Sequence, residues 1–115
     1  MKKTVISLVL LMLPFSLPAA ADDAADPHQQ ALARMGELNG VALACRYFDQ
    51  TRRIKRALIE GLPKQRELGQ AFDEKTNESF MAFVNSGKPC PSPAVFTEDV
   101  GQAIESLNRA YAEAE

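Results

Sequence analysis

The chain of 115 residues contains no tryptophan, one histidine, two tyrosines and two cysteines. These scarcities argue against several kinds of catalytic and metal-binding site. A nucleophile–histidine pair would have to use His28, and a zinc site needs three or four ligands in rigid spacing. The sequence has no C-x-x-C, no C-x-x-C-H and no Gly-rich phosphate loop, the motifs of redox thiols, covalent haem and nucleotide binding. We therefore expect a protein that is not an enzyme and that uses no cofactor.

Long hydrophobic runs are also missing, except at the start of the chain. Two lysines precede an apolar run over 5–17, and three alanines ending at Ala21 stand before two aspartates. This order is typical of a cleaved secretory signal peptide. The run is too short for a bilayer core, which needs about 20 helical residues. We predict a signal peptide over 1–21 that is cleaved after Ala21. The short Lys-Lys start is typical of bacteria and indicates the periplasm.

Export determines how the two cysteines are interpreted. An exported chain with only Cys45 and Cys90 is expected to form one intramolecular disulfide. A bridge that closes a loop of this length contributes roughly 4 kcal/mol in the chain-entropy model. The mature chain has the length of one domain with a limited core, for which a covalent staple is a large share of the stability.

The mature chain shows no strand alternation, and we predict an all-α domain over 27–115 after a flexible acidic N-terminus over 22–26. The first helix is expected over about 27–60, with Asp26 as its N-cap and Pro27 at its first position. The glycines at 36 and 40 weaken this helix. Either it bends there, or a close neighbour, the Pro-rich strap or the third helix, needs the missing side chains.

Two further helices follow the first. Gly61 suits a left-handed helix end and Pro63 the first turn of a second helix, expected over about 63–85. The segment 88–93 contains three prolines and is predicted to be an extended strap that carries Cys90. Thr97 is expected to cap a third helix over about 97–113. The short connection at 61–63 predicts a disulfide-stapled antiparallel helical hairpin with the third helix packed across it.

Apolar residues at helical spacing mark the expected core. They are Leu38, Val41, Cys45 and Phe48 in the first helix, with a second line of Tyr47, Thr51, Ile54 and Leu58, then Leu68, Phe72, Phe80, Phe83 and Val84 in the second, and Val100, Ala103, Ile104, Leu107, Ala110 and Tyr111 in the third.

Charge is segregated along the mature chain. The segment 46–66 holds seven basic and two acidic residues, whereas the remainder holds four basic and thirteen acidic residues. Such asymmetry can steer a charged partner, although a solvated helix face balanced by pairs such as Asp49–Arg53 is the plain alternative. The residues predicted to bind a partner are Arg46, Arg52, Arg53, Lys55 and Arg56. The partner would be another envelope or periplasmic protein, anionic lipid or polysaccharide. Export argues against nucleic acid.

The leading functional prediction is therefore a small periplasmic protein that binds a partner through a basic helical face. One alternative is a stress chaperone that exposes apolar surface in acid, when its many carboxylates are neutralised. In architecture alone, the predicted domain resembles the small periplasmic acid-stress chaperones. Another alternative is a metal or haem carrier, with His28 among acidic residues or Met35 or Met81 as an axial ligand.

Overall fold

The computed structural model describes residues 26–112. Within that range the chain forms four α-helices and no strand, and Cys45 is bonded to Cys90. The helices are α1 (Pro27–Ala44), α2 (Phe48–Gly61), α3 (Arg66–Ser86) and α4 (Pro93–Ala112). The predicted all-α class and the predicted disulfide are confirmed. The predicted signal peptide, its cleavage after Ala21, and residues 22–25 and 113–115 lie outside the described residues.

The helix α1 begins as its sequence predicts and then continues without a break through both glycines. Asp26 is the N-cap, and its Oδ1 accepts a 2.9 Å hydrogen bond from the His28 backbone N–H. Pro27 occupies the first helical position, where its missing N–H costs nothing. The helix continues through Asn39 and Gly40, so the predicted joint at this pair is not a break.

The predicted single helix over 27–60 is wrong, because the chain leaves helical geometry at Cys45–Tyr47. Arg46 has a left-handed backbone with φ 60°. The Arg46 N–H bonds to the carbonyl of Leu43 at 3.3 Å, and the Tyr47 N–H bonds to the carbonyl of Ala42 at 2.8 Å. These two bonds form a Schellman motif, which normally has glycine at the left-handed position. The sequence has arginine there, so no glycine indicated the helix end.

The connection between α2 and α3 also differs from its prediction. Gly61 is the last residue of α2 and is helical, and α3 begins at Arg66 rather than at Pro63. The φ of Gly61 does not require glycine, and a Cβ at this position would lie 3.0 Å from the Asn108 Oδ1 atom of α4, so a larger residue would have to displace that side chain slightly.

The helix α4 begins at Pro93, one turn before the predicted start at Thr97. Ser92 acts as the cap, since its Oγ accepts a hydrogen bond from the Val95 N–H at 3.3 Å. Pro93 then takes the favoured first helical position. The strap is therefore limited to 88–92. At the end of α3, Gly87 adopts a left-handed φ of 67°, and the predicted stop at Ser86–Gly87 is confirmed.

The core lies between α1, α2 and α4, and α3 contributes one large side chain to it. The largest fully buried side chains are Met35 of α1, Ile54 of α2, and Phe96, Val100 and Leu107 of α4. Two residues predicted for the core are instead exposed: Phe48 is 52% and Val84 54% exposed. The break before α2 rotates Phe48 outward, and Val84 lies on α3 outside the side that meets α1.

The predicted antiparallel hairpin between the first two expected helices is not confirmed. Gly36 of α1 faces Phe72 and Lys75 of α3, and Gly40 faces Thr76, Ser79 and Phe80. The contacts rise together along both helices, so α1 and α3 run in the same general direction. The helix α2 reverses the chain between them.

The helix α4 runs opposite to α1 and parallel to α2. His28 near the start of α1 meets Tyr111 at the end of α4, with ring centroids 4.9 Å apart. Arg53 of α2 contacts Thr97 of α4, and further along α2 Gly61 approaches Asn108. The helix α4 therefore closes the core against α1 and α2.

The helix that approaches the two glycines of α1 is α3, the second helix expected from the sequence, and not the strap or the third expected helix. The backbones of α1 and α3 are in close contact there. An added Cβ at Gly40 would lie 2.6 Å from the Thr76 carbonyl oxygen, and one at Gly36 would lie 2.7 Å from the Lys75 Cβ. Between these glycines, the Asn39 Nδ2 donates a buried 3.2 Å hydrogen bond to Thr76 Oγ1. Small residues at this spacing let two helices approach closely, and the polar pair sets their register.

Replacing Gly40 with alanine should lower the free energy of unfolding by about 1–3 kcal/mol, because the new methyl group meets the backbone of α3. The matched control is Gly69→Ala in α3, where an added Cβ has nothing within 4 Å. This control should raise stability by about 0.5–1 kcal/mol through helix propensity. Urea denaturation of both variants measures the contrast. Equal stabilisation by the two substitutions would show that α1 and α3 are not in close contact.

The far end of α3 is tied back to the end of α1 by two tethers in the strap. The Cys45 and Cys90 Cα atoms are 5.8 Å apart across the disulfide. Next to it, the Tyr47 hydroxyl donates a 2.7 Å hydrogen bond to the carbonyl of Pro91. Together they hold the strap over the break between α1 and α2.

The double variant Cys45→Ala, Cys90→Ala should lose about 2–4 kcal/mol of stability and keep its helical circular dichroism, since the core lies between other elements. Tyr47→Phe should lose about 1 kcal/mol, the contribution of one hydrogen bond. Chemical denaturation measures both. If the double cysteine variant lost no more stability than Tyr47→Phe, the strap would be held mainly by contacts other than the disulfide.

Candidate functional site

The helix α2 has one buried and one exposed side, and the exposed side carries most of the predicted binding residues. Thr51, Ile54 and Ala57 are buried. On the opposite side, five exposed residues recur at spacings of three, four and one, so they share one helix face. We call this the α2 face; it consists of Phe48, Arg52, Lys55, Arg56 and Ile59.

The cations of the α2 face are only slightly compensated. Arg52 forms an ion pair with Asp49, one turn before it. Lys55 and Arg56 have no ion-pair partner among the residues that the structure describes. Exposed ion pairs contribute little stability, so these charges are not needed to hold the fold. They can bind a partner with little loss of stability to the fold.

Arg53 serves the fold rather than the α2 face. Its Nη1 donates a 3.0 Å hydrogen bond to the carbonyl of Thr97 in α4 and a 3.3 Å bond to Gln50 Oε1. Gln50 in turn donates to Thr97 Oγ1 at 3.0 Å. The sequence suggested an ion pair between Asp49 and Arg53, but in the structure Asp49 pairs with Arg52. The structure therefore separates Arg53 from the other predicted binding residues.

Arg46 lies beside the α2 face, at the helix break. It lines a groove of about 440 Å³ together with Phe48 and Arg52 of α2 and Pro93 of α4. Its side chain is exposed, and its left-handed backbone is about 1–2 kcal/mol less favourable than a right-handed one. A strained arginine on an exposed groove is a candidate binding residue.

An apolar groove of about 330 Å³ borders the other end of the α2 face. It is lined mainly by Leu58, Ile59 and Leu62 from the end of α2, and by Leu68 and Phe72 of α3. Ile59 is 77% exposed and belongs to both the groove and the α2 face. The helical periodicity of the sequence did not predict this groove, although the apolar residues on both sides of the 61–63 connection are a signal for it.

The outward side of α3 forms a second exposed face. Only Phe72 and Thr76 of its 21 residues are buried, because α3 packs mainly on α1. Its outward side carries three carboxylates and two large apolar side chains that are more than half exposed. We call this the α3 face; it consists of Asp73, Glu74, Glu78, Met81 and Val84.

The histidine lies at the opposite end of the bundle from the helix break. His28 Nδ1 is 3.2 Å from Asp26 Oδ1, and the ring packs edge-on against Tyr111. Burial, and after it the Asp26 carboxylate, raise the pKa of Tyr111. Met35, one suggested haem ligand, is fully buried in the core. Over residues 26–112, no group of three or more His, Cys, Asp or Glu is placed to hold a metal ion.

Comparisons with known proteins assign no function to the α2 face or the α3 face. No family model, no curated protein and no solved structure matches this chain. Across the described helices, none is long and apolar enough to cross a membrane. The arrangement that remains is chemical: two exposed helix faces of opposite charge, each with exposed apolar side chains.

Arg46→Gly should raise the free energy of unfolding by about 0.5–1 kcal/mol, since glycine fits the left-handed position without strain. Lys55→Gly, in the exposed interior of α2, should instead cost about 1 kcal/mol. Thermal denaturation of both variants measures the difference. If both glycines destabilise equally, Arg46 contributes packing that outweighs its backbone strain.

Proposed function

We propose that this protein is a non-enzymatic binding protein of the bacterial periplasm that binds an acidic partner protein through the α2 face. One observation carries the proposal: Arg52, Lys55 and Arg56 lie on a single exposed helix face between two exposed apolar residues. The fold does not need these cations, and they lie beside exposed apolar groups. Such a composition is typical of a protein-binding surface, where arginine and aromatic residues are enriched.

The mixture of charge and apolar side chains on one face favours a protein partner over a lipid surface. A helix that lies in a membrane interface buries a continuous apolar side and turns its cations away from it. On α2 the apolar side is used by the core, and Phe48 and Ile59 stand among the cations. A partner with carboxylates and an apolar side chain would match this face. Anionic lipid and polysaccharide are the other outcomes of the test.

Export is part of the proposal. The disulfide between Cys45 and Cys90 is compatible with an oxidising compartment. The proposed route is a signal peptide over 1–21, cleavage after Ala21, and release into the periplasm. The intact mass of the exported protein should correspond to a chain that starts at Asp22 and is two hydrogen atoms lighter than its dithiol form, because oxidation of Cys45 and Cys90 to the disulfide removes two protons and two electrons.

The variant Lys55→Glu, Arg56→Glu should lose at least about tenfold in partner capture, because two attractions become repulsions. Its melting temperature should stay nearly unchanged, since neither residue has an ion pair in the described part of the chain. The measurement is cross-linked capture of the tagged protein in a bacterial periplasm, quantified by mass spectrometry.

The matched control is Lys88→Glu, Arg109→Glu, which makes the same change in net charge at two exposed positions away from the α2 face. Capture should be unchanged for this control. Equal losses in both variants would show that net charge, and not the α2 face, attracts the partner. Arg53 is left intact because its reversal would break the hydrogen bond to Thr97.

A stress chaperone is the second candidate, favoured by the exposure of α3. Met81 and Val84 are each more than half exposed, and α3 is held to the bundle on one side only. A chaperone would bind its clients through these exposed apolar side chains. The capture experiment separates the candidates: one near-stoichiometric protein supports a dedicated partner, whereas many minor clients that increase in acid support the chaperone.

A further inference from the structure

The two exposed faces of this molecule are complementary in charge and similar in length. The α2 face places three cations between the apolar Phe48 and Ile59, and the α3 face places three carboxylates before Met81 and Val84. Each face extends over eleven residue steps, which is about 16 Å of helix. We propose that the α3 face of one copy docks on the α2 face of a second copy.

The complementary charges cannot be satisfied within one molecule. The buried sides of both helices are turned inward: α3 meets α1 through its contacts with Gly36 and Gly40, and α2 buries Ile54 against the core. Their charged faces therefore point to solvent on the outside of the bundle. The Lys75–Glu78 pair compensates one carboxylate in part, which leaves Asp73 and Glu74 without an ion pair among the described side chains.

A contact between two different faces has a defined consequence for the assembly. Every copy that binds through its α2 face still presents a free α3 face, so the contact is heterologous and builds open chains or closed rings. Each pair of exposed charges contributes little, so the association is weak, depends on concentration and weakens with salt. Apolar contacts by Phe48 or Ile59 with Met81 or Val84 would add to it.

This inference rests on the proposed function, because both use the α2 face. A second copy and an acidic partner would then compete for the same cations. At high local concentration the protein would cover its own binding face, and a partner with more carboxylates would displace the second copy. Self-association thus acts as a concentration-dependent competitor of partner binding.

Sedimentation velocity of the purified mature protein tests the docking. The average mass should rise with concentration up to about 1 mM, at which a complex of millimolar dissociation constant is substantially populated. It should fall when the ionic strength is raised to about 1 M, where the screening length is near 3 Å. Either Lys55→Glu, Arg56→Glu or Asp73→Lys, Glu74→Lys should weaken self-association at least about tenfold.

Charge exchange makes the test specific. An equimolar mixture of the two double variants should associate again, because each offers a face that complements the other. A quadruple variant with both changes should also self-associate. The controls Lys88→Glu, Arg109→Glu and Glu98→Lys, Glu105→Lys alter exposed charges elsewhere and should behave like the original chain. Melting temperatures confirm that all variants are folded.

Three results would overturn the docking: a protein that stays monomeric throughout, association that is indifferent to both double variants, or a mixture that fails to associate. These results leave the proposed function separately testable. If the protein is monomeric but Lys55→Glu, Arg56→Glu still loses its captured partner, the α2 face binds another protein and not a second copy. If self-association follows the charges but no partner is captured, the second copy is the partner of this face.

Discussion

The close approach of α1 and α3 at Gly36 and Gly40 is the constraint on which the rest of this structure depends. The helix α3 packs mainly on α1 and buries only two of its residues, so a broad apolar stripe does not hold it in place. Backbone proximity replaces that stripe: the missing side chains bring the helices into contact, and the Asn39–Thr76 hydrogen bond selects one register. The disulfided strap adds a second attachment at the far end of α3, which restricts how far this helix can separate.

The helix break at Cys45–Tyr47 determines what the surface presents. A continuous helix would have kept Phe48 in the core line and distributed the basic residues around one long cylinder. The left-handed turn at Arg46 instead starts a new helix with its own orientation. One arginine, Arg53, is then directed onto α4 to hold the Thr97 carbonyl, while its neighbours on the α2 face stay in solvent. Residues of one type within a few positions thus have different physical roles.

Charge in this molecule is organised by helix faces, and that organisation is the basis of its proposed binding function. The basic face of α2 and the acidic face of α3 both point away from the core, and both carry apolar side chains that the fold leaves exposed. Apolar groups in solvent are ordinary when they are scattered, but beside unpaired charges they form the kind of surface that binds proteins. The fold buries some of its large apolar side chains in the core and leaves others exposed on these two faces.

Local signals in the sequence were enough for the all-α class, the Asp26 cap, the disulfide and the glycine stop after Ser86, because each depends on residues close together or on the pairing of the only two cysteines. The Ser92–Pro93 start of α4 is an equally local signal, but the three prolines of 88–93 favour an extended strap there. The break at Arg46 had a weak signal, a phase shift in the apolar pattern, without the usual glycine. Only the tertiary structure decided which helix fills the space beside Gly40 and which arginine bonds to α4. Both depend on atoms of α3 and α4 that are distant in sequence, and on backbone directions that no local periodicity specifies.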